Sequence, residues 1–381
     1  MCSHTRERYD YLGIAHEFLY GASGPHGLNA SIAWPTSCKE PDVMFGGGAE
    51  FFLPGPTSPN GSDFYEAFRN KGYNVINTNT QLKDTPVNKK TLGIFSKSTL
   101  AKWLDRHIYP ENLKNLKNSP TGDDTDALDQ PGLKDMTLKA IDILHQRQKK
   151  NGKGFFLMSE AAQIDKMMHA LDYDRALGEL LELDDTIRAT IAHLEKIGEL
   201  EDTLIVVTAD HGHGFDVYGS ADTKYLATQT DDRKKRDAIG TYEQSGLSGY
   251  TVAKDSLPNN DTIVVGAQGP NFPVQWDPRY AFAAGMAAHP DVREGFKVQT
   301  KGPRVAAIKS EKDGYVHNPE DQPDGITMPG TIPTSDGAGV HSMQDISVYA
   351  NGPGAEAFRG VYNNIDIFFK MADALGLGQT D

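Results

Sequence analysis

Two short apolar runs on either side of one long amphipathic stretch constrain this chain more than any other feature. Gly154-Phe-Phe-Leu-Met158 and Thr203 to Thr208 have the length and composition of buried strands. Between Tyr173 and Glu199, Leu177, Leu180, Leu181, Ile187, Ile191 and Leu194 recur at helical spacing, and Gly198 marks a stop. Strand, helix and strand in that order predict a βαβ unit from Phe155 to Asp210, its two strands parallel and ending on the same side. That side is where an open α/β sheet gathers its chemistry.

Both strand ends carry ligand-type residues. Glu160, Asp165 and His169 follow the first run, and Asp210-His211 with His213 follow the second. Asp165 and His169 stand four apart, so a helical turn presents both on one side, toward one ion or as a plain surface pair. Asp210-His211 directly after Leu204-Ile-Val-Val207 points more firmly to metal, the alternative being a helix cap followed by a solvated histidine. His341, after the Gly-rich turn Asp336-Gly-Ala-Gly-Val340, is by itself a loop histidine that could reach the same place. Carboxylates and imidazoles gathered in this way suit metal-assisted phosphoryl transfer.

The remainder of the chain reads as the same α/β architecture with one long interruption. Asp42 to Gly48, Tyr73 to Ile76 and Leu92 to Phe95 are strand candidates, and Thr137 to Gln148 is a helix. From 214 to 331 the texture changes to Gly, Pro, Asp, Asn and Lys with brief apolar runs at Thr262 to Val265 and Tyr280 to Met286, which reads as an insertion. Ile346 to Tyr349 and a helix from Ile365 to Leu375 return to the main sheet. With 381 residues, 38% of them hydrophobic, the chain can bury a sizeable core.

A net charge of -14 excludes a nucleic-acid or anionic-membrane surface and requires phosphate to be bound locally, by metal or a placed arginine. No stretch approaches the ~20 apolar residues of a membrane span. Cys2 and Cys38 show no metal-binding spacing and are too few for a disulfide framework. Sequons at Asn29, Asn60 and Asn260 are compatible with secretion without requiring it. The chain opens in what reads as mid-helix material, without an apolar leader.

These segments together resemble the alkaline phosphatase family. Glu160-Ala-Ala-Gln-Ile-Asp165-Lys-Met-Met-His169 is similar to its Glu-Gly-x-x-Ile-Asp-x-x-x-His motif, and Thr208-Ala-Asp-His-Gly-His213 to its Thr-Ala-Asp-His-x-His motif. His341 with Asp345 to Pro353 resembles its carboxyl-terminal metal motif, and His4-Thr-Arg-Glu-Arg8 a segment whose arginine clamps phosphate. Weaker likenesses lie at Asp42 to Gly48, Leu92 to Ser96, Trp103 to Arg106 and Leu133 to Thr137, so the resemblance covers residues 4 to 216 and 332 to 381.

The resemblance implies a three-layer α/β sandwich, a mostly parallel central sheet between helices, with residues 214-331 as a variable crown-like insertion and the amino-terminal part of the fold lacking. It implies two zinc ions and a magnesium. Asp165, His169 and His341 would hold the first zinc, Asp210 and His211 half of the second, and Glu160 part of the magnesium site, with His213 beside the first zinc. Arg8 and Lys166 would face the phosphate of a phosphomonoester. It further implies a homodimer for the full-length protein, which could be secreted, membrane-anchored or vacuolar.

One departure bears on activity. The family's Asp-Ser-Ala nucleophile, a zinc- and magnesium-bridging aspartate and a Thr-Pro magnesium segment precede the arginine matched by Arg8 and are not found here; the only Asp-Ser is Asp255-Ser256. The expectation is a chain inactive by itself and poorly soluble, belonging to a longer phosphatase. The alternatives are a non-catalytic metal- or phosphate-binding relative, or another metal hydrolase of the same superfamily, a phosphodiesterase or sulfatase.

Overall fold

The computed structural model describes residues 10–20, 40–56, 61–116, 127–170, 172–213, 301, 308–309, 316–317, 341–342 and 344–377. They fall into two compact units, the first formed by Met1–Ile164, Arg175–Ile205 and Asn351–Ala357, the second by Asp165–Asp174, Val206–Ala350 and Phe358–Asp381.

The first unit is built on a parallel sheet. Strands β1 (Val43–Gly46) and β2 (Asn74–Ile76) both pair in parallel with β3 (Thr91–Ile94), giving the order β1-β3-β2. The central position of β3 explains why all four of its residues are buried. Gly93 in this strand leaves room for two rings, since a Cβ there would lie 2.5 Å from the Phe95 ring and 2.7 Å from that of Phe45.

Helices flank the strands: α1 (Asp10–Tyr20), α2 (Phe64–Asn70), α3 (Asn79–Asp84), α4 (Trp103–His107) and α5 (Leu133–Asn151). Local chemistry sets several ends. Asp63 accepts a hydrogen bond from Glu66 N at 3.0 Å to start α2, Thr78 accepts from Gln81 N at 3.1 Å to start α3, and Gly152, at φ 62°, ends α5. Leu19, Met44, Phe52, Phe64, Phe68, Leu92 and Ile94 form the main apolar cluster. Full burial of such side chains contributes about 1.5–3 kcal/mol each.

The sequence-predicted strands at Asp42 to Gly48, Tyr73 to Ile76 and Leu92 to Phe95 thus match β1, β2 and β3. The predicted strand Gly154 to Met158 does not form: these residues join no ladder among the described residues, and Phe156 and Met158 are 58% and 56% exposed. A strand exists only through a partner, and no described strand is hydrogen-bonded to this run. Among the described residues the expected βαβ unit thus lacks its first strand.

The long helix of that unit does form, as α7 (Tyr173–Ile197), following α6 (Gln163–His169), and Gly198 ends it at φ 77°. Of the predicted apolar stripe only Leu194 is buried. Arg175, Glu179, Glu182 and Thr186 are buried, while Leu177, Leu180, Leu181 and Ile191 are exposed.

Charge pairing accounts for the inversion. Arg175 donates to both oxygens of the buried Asp105, at 2.7 and 2.6 Å, and Arg106 pairs with Glu182. Glu179 accepts from the backbone N of Trp103 at 2.6 Å. Helix α5 is held in register by Lys134 with Asp185, Asp142 with His193 and Gln148 with Glu199, all 51 residues apart, so α5 and α7 run parallel.

Short strands organise the second unit. β5 (Gly212–His213) pairs antiparallel with β8 (His341–Ser342), and β6 (Ile308–Lys309) with β7 (Val316–His317). β4 (Ile205–Val207) is hydrogen-bonded to β9 (Tyr349–Asn351), which begins three residues later than the predicted strand at Ile346. Just past β9, Gly352 of the first unit lies at φ 105° with its backbone so close to Thr203 that a Cβ would lie 2.1 Å from the Thr203 carbonyl oxygen. The final helix, α8 (Asp366–Ala374), falls where predicted. The apolar runs at 262–265 and 280–286 lie outside the described residues, and no described helix is long and apolar enough to cross a membrane.

Candidate metal centre

Three pieces of the second unit supply the site. Helix α6 carries Asp165 and His169, one turn apart. The turn after β4 carries Asp210 and His211 and leads into β5, which ends in His213. Strand β8 begins with His341, whose Cα partner across the ladder is His213, and a pair directly opposed in an antiparallel ladder shares one face.

Their side chains converge on one atom. Asp165 Oδ1 lies 3.0 Å from His341 Nε2, 3.4 Å from His169 Nε2, 3.9 Å from His213 Nε2 and 4.0 Å from His211 Nε2. His169 Nε2 faces His341 Nε2 at 2.9 Å, and the His211 ring stacks on that of His341 with centroids 3.6 Å apart. Asp165, His169, His213 and His341 offer ligand atoms that all lie within 4.8 Å of one another.

The polar accounting points to a cation. Asp165 Oδ1 and both ring nitrogens of His213 are buried without a hydrogen-bond partner, a costly state for polar atoms that a positive ion would relieve. Burial first, and then the neighbouring His169, lower the His213 pKa from 6.5 to about 4, against the raising effect of Asp165. That imidazole is therefore neutral at physiological pH and keeps a lone pair to give.

His211 is prepared differently. Its Nδ1 faces the Gly212 carbonyl oxygen at 2.9 Å, so Nδ1–H donates there and Nε2 is left as an acceptor, 3.4 Å from Asp210 Oδ2. Gln344 lies over Gly212, where a Cβ would come within 2.4 Å of its Nε2. No spacing in the sequence announces that contact.

The other sequence-predicted residues are not among these ligand-capable side chains. Lys166 is exposed on α6 beside Asp165. Glu160 is half-buried and belongs to the first unit. Arg8 lies outside the described residues.

Comparison with known proteins agrees with the motifs. The alkaline phosphatase family profile matches residues 26–377, a span that runs through residues 214–331. Alkaline phosphatase 4 of Bacillus subtilis is 29% identical over 334 residues, covering 87% of this chain and 57% of that protein. Streptomycin-6-phosphate phosphatase of Streptomyces griseus is 33% identical over 193 residues, 49% of this chain and 42% of that one.

The alkaline phosphatase structure from Thermus thermophilus superposes with a TM-score of 0.49 at 21% identity, covering 89% of this chain and 63% of that one. The chain thus spans about half the length of the curated relatives it matches. Its parallel sheet with flanking helices is the α/β architecture expected from the sequence, and with the profile match over residues 26–377 the chain belongs to the alkaline phosphatase family.

Proposed function

We propose that these residues carry the ion-binding part of a metal-dependent phosphomonoesterase. The observation that supports this reading best is the convergence of four imidazoles on Asp165 Oδ1, a buried oxygen with no hydrogen-bond partner. In this reading Asp165, His169 and His341 hold one zinc, Asp210 and His211 contribute to a second, and Glu160 contributes to a magnesium site. The nitrogen-rich donor set of the first group favours zinc over magnesium, which takes oxygen ligands. When bound, such ions lower the pKa of a coordinated hydroxyl and stabilise the charge of a transferring phosphoryl group.

Lys166 and Arg8 are assigned to the substrate phosphate, Lys166 as a point charge and Arg8 through its planar fork. The substrate class is a phosphate monoester of a small molecule, consistent with a relative named for streptomycin 6-phosphate. Residues 214–331 would be a crown-like insertion, and the working enzyme a homodimer.

No Asp-Ser-Ala sequence occurs among the 381 residues, so the nucleophilic serine of this reading is not one of them. The chain alone is therefore expected to bind zinc and not to turn over substrate. Incubation with zinc, magnesium and p-nitrophenyl phosphate should give no release above a chelated control, whereas robust zinc-dependent turnover would overturn this assignment. Failure to bind zinc at all would overturn the ion-binding reading.

A further inference from the structure

We propose that Glu179 is a proton-operated latch on helix α4: carrying its proton it holds the start of α4 against α7, and on losing that proton to solvent it lets water in between them. The inference does not depend on the ion-binding reading, and every residue in it belongs to the first unit.

Packing carries the first step. Three side chains pin the backbone that leads into α4. Gln130 Oε1 accepts from Ala101 N at 2.7 Å, Arg106 Nε donates to Ala101 O at 3.0 Å, and Glu179 Oε1 accepts from Trp103 N at 2.6 Å. Of these three, Glu179 is the one that α7 supplies. The residue before it, Gly178, lies under the Trp103 ring, where a Cβ would come within 3.2 Å of Cε3. One turn of α7 thus holds both the backbone and the ring of Trp103.

Charge carries the second. Three buried carboxylates, those of Asp105, Glu179 and Glu182, share this packing with two buried guanidiniums, those of Arg106 and Arg175. Arg175 donates to both oxygens of Asp105, and Arg106 pairs with Glu182. Glu179 is left with a backbone N–H as its donor. Protonated, it completes a group without net charge. Ionised, it adds an uncompensated negative charge beside Glu182, which burial makes unfavourable. Letting water reach the carboxylate relieves that charge and gives up the Trp103 contact.

The surroundings fix the sign. Burial foremost, and then Glu182, raise the Glu179 pKa from 4.5 to about 7, while Trp103 N–H and, from the α4 side, Arg106 and Lys102 oppose the shift. On the α5 side Gly132 sits against Arg106 and Glu182, and Lys134 and Asp135 act on His107. The closed latch therefore binds the proton more tightly than an opened, hydrated one. Closure is strongest below pH ~4.5, weakens as pH rises, and above about 7 is roughly 300-fold less favourable.

Trp103 reports the latch directly, because a tryptophan ring emits at longer wavelength once water reaches it. The full chain with Trp34→Phe and Trp276→Phe keeps Trp103 as its one tryptophan. As pH rises from ~4.5 to about 7, its emission should move to longer wavelength and become more open to acrylamide quenching, with far-UV circular dichroism unchanged. In the same background Glu179→Gln, which keeps an acceptor for Trp103 N and cannot ionise, should hold the short-wavelength emission throughout. Glu182→Gln frees Arg106 to pair with Glu179 and should also keep the latch closed above neutral pH.

Emission that stays fixed in the parent chain, that moves equally in Glu179→Gln, or that moves only in step with loss of circular dichroism would overturn the latch. Should Glu179→Gln not fold, Glu182→Gln decides, since an opening as large as the parent's refutes the charge argument. The measurement is made without added zinc, so its failure leaves the ion-binding reading standing.

Discussion

His169 Nε2 and His341 Nε2 lie 2.9 Å apart although 172 residues separate them in the chain. At that distance two imidazole nitrogens share either one proton or one cation. Because a cation binding only the folded state stabilises it, zinc at about 100 times its dissociation constant should add about 2.7 kcal/mol. Zinc should thus raise the melting temperature of the wild-type chain and leave that of His341→Ala or Asp165→Ala unmoved. Equal shifts in all three would place zinc elsewhere.

Glu179 gives a pH dependence of known sign. Burial foremost, with the nearby Glu182 carboxylate, pushes its pKa up from 4.5 to about 7, while Trp103 N–H and Arg106 oppose the shift. The folded chain therefore keeps a proton that the unfolded chain releases above pH ~4.5, and the associated stability is full below that value and lost as pH rises through about 7. The loss is on the order of 3 kcal/mol. Denaturation at several pH values should show this fall in wild type and not in Glu179→Gln, which keeps an acceptor for Trp103 N; parallel profiles would refute it.

The pair Arg175 and Asp105 is buried on both sides, its side chains 5% and 6% exposed. Removing one member strands the other's charge, so Arg175→Met alone should cost about 3–5 kcal/mol. Arg175→Met combined with Asp105→Leu should cost less than the single change. Urea unfolding of the three chains decides, and a double variant weaker than Arg175→Met would contradict the argument.

Helix α7 offers an internal control on which face is packed. Leu194 is 2% exposed and Leu181 51% exposed, thirteen positions along the same helix. Leu194→Ala should destabilise by about 2–5 kcal/mol. Leu181→Ala should stay within about 0.5 kcal/mol and lower the binding of a hydrophobic dye. Equal losses would mean that the leucine stripe is covered in solution.

Part of the candidate site was legible in the sequence because its signals are local. The four-residue spacing of Asp165 and His169 became one face of α6, and Asp210-His211 came out at the end of an aliphatic strand. The three strand segments of the first unit and the glycine stop at Gly198 were likewise readable from residues within a few positions of themselves.

What tertiary structure alone decided is partnership. Sequence made Gly154 to Met158 a good strand, but a strand needs a neighbour's hydrogen bonds and none of the described residues supplies them. Periodicity showed a leucine stripe on α7 without showing that Arg175 and Glu182 would turn the polar face inward toward Asp105 and Arg106. Nor could spacing place His341 against His169, or His213 opposite His341. The second of these contacts arises from a two-residue antiparallel ladder, and ladder register is a property of the folded pair, not of either strand.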